Sequence, residues 1–109
     1  MLSNDIEIIQ GDSKYFSVVK QNEQGEQIDF VDGEEVAFSV KKNLKGLDYI
    51  IHKTSTDVQE GKIIIYLSPE DTNVPLDDNY YYDFQYTDLE HDVYTLAKGI
   101  CQVVWEVTN

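Results

Sequence analysis

Hydrophobic and polar residues alternate along most of this chain with a period of two. The clearest case is segment 35–42, in which Val36, Phe38 and Val40 alternate with polar or small residues. Successive side chains of a β-strand point to opposite faces, so the pattern predicts strands with one buried face. Turn-forming residues recur at intervals of about 8 to 15 residues, and helical periodicity is nearly absent. The sequence therefore predicts an all-β fold.

The alternation and the spacing of turn residues together predict eight strands, of which one or two are short. Besides segment 35–42, they lie at 5–10, 15–20, 27–30, 49–54, 62–67, 80–87 and 93–107. A chain of 109 residues fits one domain, so residues 1–109 are expected to form a single core. We predict an immunoglobulin-like β-sandwich of seven to eight mostly antiparallel strands and prefer it to a barrel.

A helix-start signature precedes the aromatic strand 80–87. Ser68 stands at a cap position, Pro69 at the first helical position, and Asp71 three residues beyond the cap. Pro75 limits any helix to about one turn, because proline lacks an amide hydrogen. We therefore predict one short helical turn near 69–73, at the corner where the chain crosses between sheets. Alternation then places Tyr80, Tyr82, Phe84 and Tyr86 together on one side of the strand.

The final strand changes its inward phase near Gly99. Tyr94 and Leu96 share one parity, whereas Cys101, Val103, Trp105 and Val107 share the other. A β-bulge at Lys98 and Gly99 would reconcile the two halves. Cys101, the one cysteine, is then a buried and unreactive core thiol.

The charge balance disfavours several classes of partner. The chain has 21 acidic residues against eight lysines, no arginine, and a formal net charge of -13. Such a surface repels nucleic acid and anionic lipid, so neither is an expected partner, although acidity also serves solubility. The N-terminal residues show no secretion signal, and no apolar run is long enough to span a bilayer. Synthesis and folding in a cytoplasm are expected.

Residues suited to catalysis are few. The two histidines are His52, on a predicted edge strand, and His91, in a predicted hairpin tip. Neither stands beside a nucleophile motif, and the carboxylates lie mostly in turns. We therefore predict no catalytic residues, no cofactor and no enzyme activity.

Two acidic clusters are weak candidates for a metal site. Asp88, Glu90 and Asp92 alternate around His91 and offer oxygen ligands of the kind that calcium prefers. Acidic residues are also ordinary turn formers, which favours a solvated hairpin tip. The same interpretation applies to the second cluster, which contains Asp29, Asp32, Glu34 and Glu35.

Exposed tyrosines are the candidate interface. Tyr81 is expected to point away from the core, and Tyr49 and Tyr66 are expected to be exposed as well. His52 and Lys53 lie on the predicted edge strand 49–54, which offers free backbone groups to a partner although its charges oppose pairing. Together with Tyr94, the three tyrosines could form an exposed platform for a sugar or another protein, and tyrosine at the edge of a core is the plainer alternative.

Several segments taken together resemble a known family. They are Ile8-Ile9-Gln10-Gly11-Asp12-Ser13, Gly33-Glu34-Glu35 followed by Phe38-Ser39-Val40-Lys41-Lys42, and Pro69-Glu70-Asp71-Thr72 ahead of Tyr80-Tyr81-Tyr82. In this order they resemble the immunoglobulin-like N-terminal domain of phage baseplate upper proteins and their small prophage tail-associated relatives. The resemblance implies a structural protein of the virion, made in the cytoplasm of the bacterial host, that docks on other virion proteins or associates into a homo-oligomer.

Two alternatives remain open at this stage. The first is a carbohydrate-binding module, assisted by calcium, on the same scaffold. The second is a small hydrolase, which would need a deep pocket that contains His52 or His91 and a buried carboxylate.

Overall fold

Ten β-strands make up the computed structural model of this protein, which describes residues 5–46 and 48–105. They are β1 (Ile6–Ile9), β2 (Lys14–Val18), β3 (Lys20–Gln21), β4 (Gln27–Ile28), β5 (Glu35–Lys41), β6 (Ile51–Ser55), β7 (Val58–Gln59), β8 (Lys62–Leu67), β9 (Asp77–Thr87) and β10 (Val93–Val104). Seven strands have four residues or more, and β3, β4 and β7 have two each. The all-β prediction is confirmed.

The strands form three sheets. A five-stranded sheet has the order β1-β10-β9-β5-β6, a three-stranded sheet has the order β2-β8-β7, and β3 pairs with β4. Every pair is antiparallel except β1 with β10, which is parallel. The described residues include no helix that is long and apolar enough to cross a membrane.

The two larger sheets share one hydrophobic core. Val36, Phe38 and Val40 of β5 are completely buried, as their alternation predicts. The ring of Phe16 on β2 lies 4.9 Å from that of Phe38 and 5.1 Å from that of Phe84 on β9, so it joins the sheets. Each such buried side chain contributes about 1.5 to 3 kcal/mol of transfer free energy.

Cys101 is part of this core, as predicted. Its side chain is completely buried on β10, directly opposite Tyr80. Burial raises the pKa of the Cys101 thiol to about 11, because the thiolate is poorly solvated there. The thiol is therefore protonated at neutral pH.

The predicted helical turn near 69–73 is wrong, because the segment forms turns rather than a helix. The amide of Thr72 donates to the carbonyl of Ser68 at 3.2 Å, which is one helical hydrogen bond. The next amide, of Asn73, donates to Glu70 instead, and that of Val74 donates to Thr72. The helical spacing is thus lost after one bond, since a helix needs consecutive bonds of this type.

The capping signature is nevertheless present without its helix. The amide of Ser68 donates to the Asp71 carboxylate at 2.8 Å, and the amide of Asp71 donates to Ser68 Oγ at 3.2 Å. Buried Thr72 then donates through Oγ1 to the carbonyl of Asp12 at 2.7 Å. This tertiary bond joins the corner to the β1–β2 connection, and Pro75 disfavours helical geometry at the residue before it.

The last strand departs from its prediction at two places. β10 ends at Val104, and Trp105 is 70% exposed rather than buried, while Val107 lies outside the described residues. The register shifts occur at Leu96 and between Cys101 and Val103, not at Lys98 and Gly99.

Side-chain size explains the position of the first shift. Ala97 pairs opposite Phe84, and Gly99 pairs opposite Tyr82, both rings of the core face. Small residues leave room for those rings, so the extra residue of the bulge falls before Ala97.

Candidate protein interaction surface

A row of polar side chains crosses the outer face of the five-stranded sheet. On neighbouring strands His52 pairs with Ser39, Ser39 with Asp83, and Asp83 with Lys98. Ser39 Oγ lies 3.0 Å from His52 Nδ1. The row places a histidine, a hydroxyl, a carboxylate and an ammonium group on four adjacent strands, and the core side chains of those strands lie behind it.

Asp83 is the half-buried carboxylate of this row. Burial raises the pKa of Asp83, because the ionised form loses water, while the nearby charges of Lys41 and His52 lower it. Ionised Asp83 therefore carries a cost in the folded protein.

A cleft of about 220 Å³ lies beside the row. Tyr49 forms one wall, its ring stacked 4.4 Å from that of His52, and Lys41 Nζ lies 4.8 Å from the Tyr49 ring centroid. Lys41 also donates to the carbonyl of Gly46 at 3.0 Å. Tyr81 lines the cleft from β9. The Tyr49 wall is thus held by contacts with its neighbours before any partner binds.

A second cleft, of about 570 Å³, adjoins the first and shares Leu44 and Tyr81 with it. We call the two clefts together the lysine–tyrosine surface, defined by Lys41, Lys42, Leu44, Lys45, Tyr49, Tyr81 and Lys98. Leu44, which lines both clefts, is 70% exposed. Exposed apolar and aromatic groups with a polar rim are typical of protein interfaces.

The charge of this surface opposes that of the chain as a whole. Four of the eight lysines line the two clefts, and the acidic residues that line them are Asp77 and Asp83. Lys42 is paired with Asp77 at 2.9 Å, and no salt bridge among residues 5–46 and 48–105 contains Lys41, Lys45 or Lys98. The surface is therefore locally positive in a chain with a net charge of -13.

The structure brings together three of the five predicted interface residues. Tyr49, Tyr81 and His52 meet at or beside the lysine–tyrosine surface. Tyr66 belongs to the three-stranded sheet, where its ring lies 4.7 Å from that of Tyr15. Lys53 binds Asp71 at 3.1 Å and so stabilises the 68–72 corner.

The lysines of the lysine–tyrosine surface and Leu44 are not among the predicted interface residues. Leu44 stands between the predicted strands 35–42 and 49–54, and an apolar residue in such a connection is a signal of exposure. Lys41 and Lys98 gave no signal of that kind, since their meeting depends on strand order.

The predicted acidic cluster of the β9–β10 hairpin does come together. Ligand atoms of Asp88, Glu90 and Asp92 lie within 4.8 Å of one another. Asp88 Oδ1 already accepts the amides of Glu90 and Asp92, both at 2.9 Å. These two hydrogen bonds stabilise the turn and explain why an aspartate occupies position 88.

A neutral residue accepts the corresponding hydrogen bonds in another hairpin. Between β3 and β4, Asn22 Oδ1 accepts the amides of Gln24 at 2.9 Å and Glu26 at 3.0 Å. The amide of Gly25 donates to the Asn22 carbonyl, as that of His91 does to Asp88. An amide oxygen thus suffices for this turn, so the position of Asp88 does not require a metal.

The prediction that the second acidic cluster is solvated is wrong for Glu34. Glu34 is buried, and its carboxylate binds Lys20 Nζ at 2.9 and 3.1 Å and the amide of Val31 at 2.9 Å. Lys20 also lies 4.9 Å from the ring centroids of Phe30 and Tyr86. Glu34 is therefore a structural residue of the core edge, because a buried carboxylate needs a paired charge.

The polar row does not have the order of a serine–histidine–carboxylate triad. In a serine–histidine–carboxylate triad the imidazole stands between hydroxyl and carboxylate, whereas here Ser39 stands between His52 and Asp83. Ser39 and Asp83 also lie on inner strands, whose backbone amides are engaged in the sheet. Such amides cannot form an oxyanion hole.

No protein-family model and no curated protein matches this chain. Its function is therefore inferred from the surface described above and from the residues that carry the sequence resemblance.

Proposed function

We propose that this chain is a non-enzymatic, immunoglobulin-like docking module of a phage or prophage tail or baseplate. It acts through protein–protein contacts at the lysine–tyrosine surface. The observation that carries this proposal is the surface itself, where Tyr49, Tyr81 and exposed Leu44 are surrounded by lysines on an otherwise acidic molecule. The phage setting comes from the sequence resemblance.

The strand order supports the immunoglobulin-like part. In that fold strands B, E and D belong to one sheet and C, F and G to the other. Taking β2, β8 and β7 as B, E and D, and β5, β9 and β10 as C, F and G, reproduces this division. β6 then extends the second sheet beyond C, and β1 pairs in parallel with G.

The connection into β9 supports it as well. Many immunoglobulin-like domains have a tyrosine near the start of strand F whose hydroxyl bonds to the backbone a few residues upstream. Tyr80 is such a residue, since its hydroxyl donates to the carbonyl of Pro75 at 2.8 Å. Its ring is buried in the core, so one side chain holds both the corner and the strand.

This chain stabilises the two sheets without the disulfide of antibody domains. It has a single cysteine, and β5 presents Val36, Phe38 and Val40 to the core rather than tryptophan. Instead of that disulfide and tryptophan, close contacts of the Phe38 ring with the rings of Phe16 and Phe84 fill this part of the core. Such a core suits a protein that is folded in a reducing cytoplasm.

The lysine–tyrosine surface is suited to a protein partner. Tyrosine supplies a large contact area with few rotatable bonds, and the Tyr49 ring is already held between His52 and Lys41. β6, with its row of backbone groups, is the adjacent edge strand. The partners that we propose are other virion proteins and further copies of this chain.

Particle composition tests the proposal. Prophage is induced in the strain that encodes this chain, particles are purified by density gradient, and their proteins are identified by mass spectrometry. We expect the chain in the particles, and its consistent absence from intact tails would overturn the proposal.

A variant pair then tests the surface. Tyr81→Ala should reduce incorporation roughly tenfold or more, as loss of an aromatic anchor commonly does. The control is Tyr15→Ala, which removes an exposed tyrosine from the opposite sheet and should leave incorporation unchanged. Equal incorporation of both variants would remove the surface from the proposal.

Carbohydrate binding is the second candidate function. Tyr49 and Tyr81 line a cleft that also presents Asp83, Gln85 and Lys98, a combination of rings and hydrogen-bonding groups that suits a sugar. A glycan array with the wild type and Tyr81→Ala tests this candidate. Glycan binding that Tyr81→Ala abolishes, by a protein that stays monomeric, would favour it over docking.

A further inference from the structure

The β9–β10 hairpin ends in an acidic segment beside Gly33. We call residues 88–92 the acidic tip, which contains Asp88, Glu90, Asp92 and, between the first two, Leu89 at 58% exposure. No salt bridge within the described part of the chain uses a tip carboxylate. Their combined charge, that of Asp88 most of all, raises the pKa of nearby Tyr94. The tip thus presents one apolar side chain among unpaired negative charges.

The acidic tip is organised before binding. The amide of Asp88 donates to the Asp92 carbonyl at 3.0 Å, and that of His91 donates to the Asp88 carbonyl at 3.1 Å. Two further amides donate to the Asp88 side chain. A segment held in this way loses little conformational entropy when it binds.

The lysine–tyrosine surface has the complementary features. Lys41, Lys45 and Lys98 are outside the ion pairs of the described residues, and Leu44 and Tyr49 are exposed. A cleft with an apolar centre and positive rim fits a ligand with an apolar centre and negative rim.

The acidic tip cannot reach the surface of its own molecule. Tyr81 and the last residue of β9, Thr87, belong to one extended strand, so they are about 20 Å apart, and the tip continues away from Tyr81. Contact between the two features therefore needs two molecules. A single contact of this kind leaves the tip of one molecule and the surface of the other free, so it can continue head to tail into a ring or a filament.

We propose that copies of this chain bind head to tail, with the acidic tip of one copy occupying the lysine–tyrosine surface of the next. This inference rests on the proposed docking function and names its partner as a second copy. Leu89 contacts Leu44 and Tyr49, and the carboxylates of Glu90 and Asp92 pair with Lys45 and Lys98.

The contact is expected to be weak in dilute solution. A five-residue tip buries less than the roughly 1,200 Å² of a stable interface, and the net charge of -13 repels like molecules. At physiological ionic strength the repulsion acts over only about 8 Å, whereas the paired charges are in contact. Copies that are anchored side by side on a tail would gain from their high local concentration.

Sedimentation velocity of the full chain tests the contact, over concentrations from about 20 µM to about 1 mM at 0.15 M salt. The tip variant is Glu90→Lys with Asp92→Lys, and it keeps Asp88, which forms the turn. Its control is Glu23→Lys with Glu26→Lys, the same charge change in the corresponding turn between β3 and β4. We expect concentration-dependent association for wild type and control and its loss in the tip variant.

The surface variant is Lys45→Glu with Lys98→Glu, and its control is Lys14→Glu with Lys62→Glu on the three-stranded sheet. The surface variant alone should also remain monomeric. Mixing it with the tip variant should restore association, because each reversed charge then meets its opposite. This rescue separates a specific contact from general repulsion and from misfolding.

Three results would overturn the inference. They are a wild type that stays monomeric throughout, a tip variant that associates like its control, and a mixture that shows no rescue. The docking function would survive any of them if Tyr81→Ala still prevented incorporation into particles. Conversely, head-to-tail association without any incorporation would refute the phage function and leave the contact standing.

Discussion

Replacing Glu34 by glutamine removes one charge from a buried ion pair and leaves the other in place. In the native protein 6% of the Glu34 side chain and 13% of the Lys20 side chain are exposed. Glutamine has nearly the same shape, and its one oxygen can still accept the amide of Val31, which now bonds to the carboxylate. The change therefore tests charge pairing rather than packing.

The cost follows from the surroundings of Lys20. Removing one partner of a buried pair typically costs about 3 to 5 kcal/mol, because a charge remains buried without compensation. The rings of Phe30 and Tyr86, each 4.9 Å from Lys20 Nζ, offset part of that cost. We therefore expect a loss of about 3 kcal/mol, a large share of the roughly 5 to 15 kcal/mol typical of domain stability.

Urea unfolding measures this loss. With an m-value of about 1 to 3 kcal/mol per molar, a loss of about 3 kcal/mol should lower the urea midpoint by about 1 to 3 M. The matched control is Lys53→Met, which breaks the more exposed pair with Asp71 and should cost at most about 1 kcal/mol. The double variant Lys20→Met with Glu34→Gln should recover most of the stability, since no charge is then left unpaired.

The reasoning fails if Glu34→Gln and Lys53→Met cost the same. It also fails if the double variant is as unstable as Glu34→Gln, since uncompensated charge would then not be the cause.

Three further predictions follow from single residues. His91 has a left-handed φ of 69°, and the equivalent residue of the β3–β4 turn is Gly25, with a φ of 81°. His91→Gly should therefore stabilise the protein by about 0.5 to 1 kcal/mol, and Gly25→His should destabilise it comparably. Shifts in Tm measure both effects. Burial raises the pKa of Asp83, so its ionisation reduces stability as pH rises through that pKa. Asp83→Asn should therefore raise the urea midpoint at pH 7. The gain should vanish below about pH 4, where wild-type Asp83 is protonated in the folded and the unfolded state. An equal gain at all pH values would contradict this prediction. Tyr80→Phe removes the hydrogen bond to the Pro75 carbonyl and leaves the ring in place. We expect the free energy of unfolding in urea to fall by about 1 kcal/mol. An unchanged free energy would show that the corner does not depend on this hydrogen bond.

The core-facing residues of the long strands could be predicted because alternation is local. Val36, Phe38 and Val40 are buried as the period of two requires, and so are Tyr80 and Tyr82. The place of the bulge in β10 was predicted wrongly, because it depends on which residues oppose Phe84 and Tyr82 across the sheet. That pairing is not contained in the local pattern of β10.

Of the seven residues that define the interaction surface, only Tyr49 and Tyr81 could be predicted. Parity indicates that Tyr66 and Tyr81 point outward, but it does not say that they lie on different sheets. Lys98 reaches the surface because β10 pairs with β9, and Lys41 reaches it because β5 pairs with β9 on the other side. Glu34 was placed among solvated acids because Lys20, its partner, lies on another segment of the chain.

The sequence by itself determined that this protein is built of strands, which side of each long strand faces the core, and that its surface is acidic overall. Each of these properties depends on neighbouring residues or on composition. Tertiary structure alone decided the order of strands in the sheets, the buried Lys20–Glu34 pair, and the gathering of lysines around Tyr49 and Tyr81. Those features join residues that are distant in sequence, and their energies exist only once the sheets have packed.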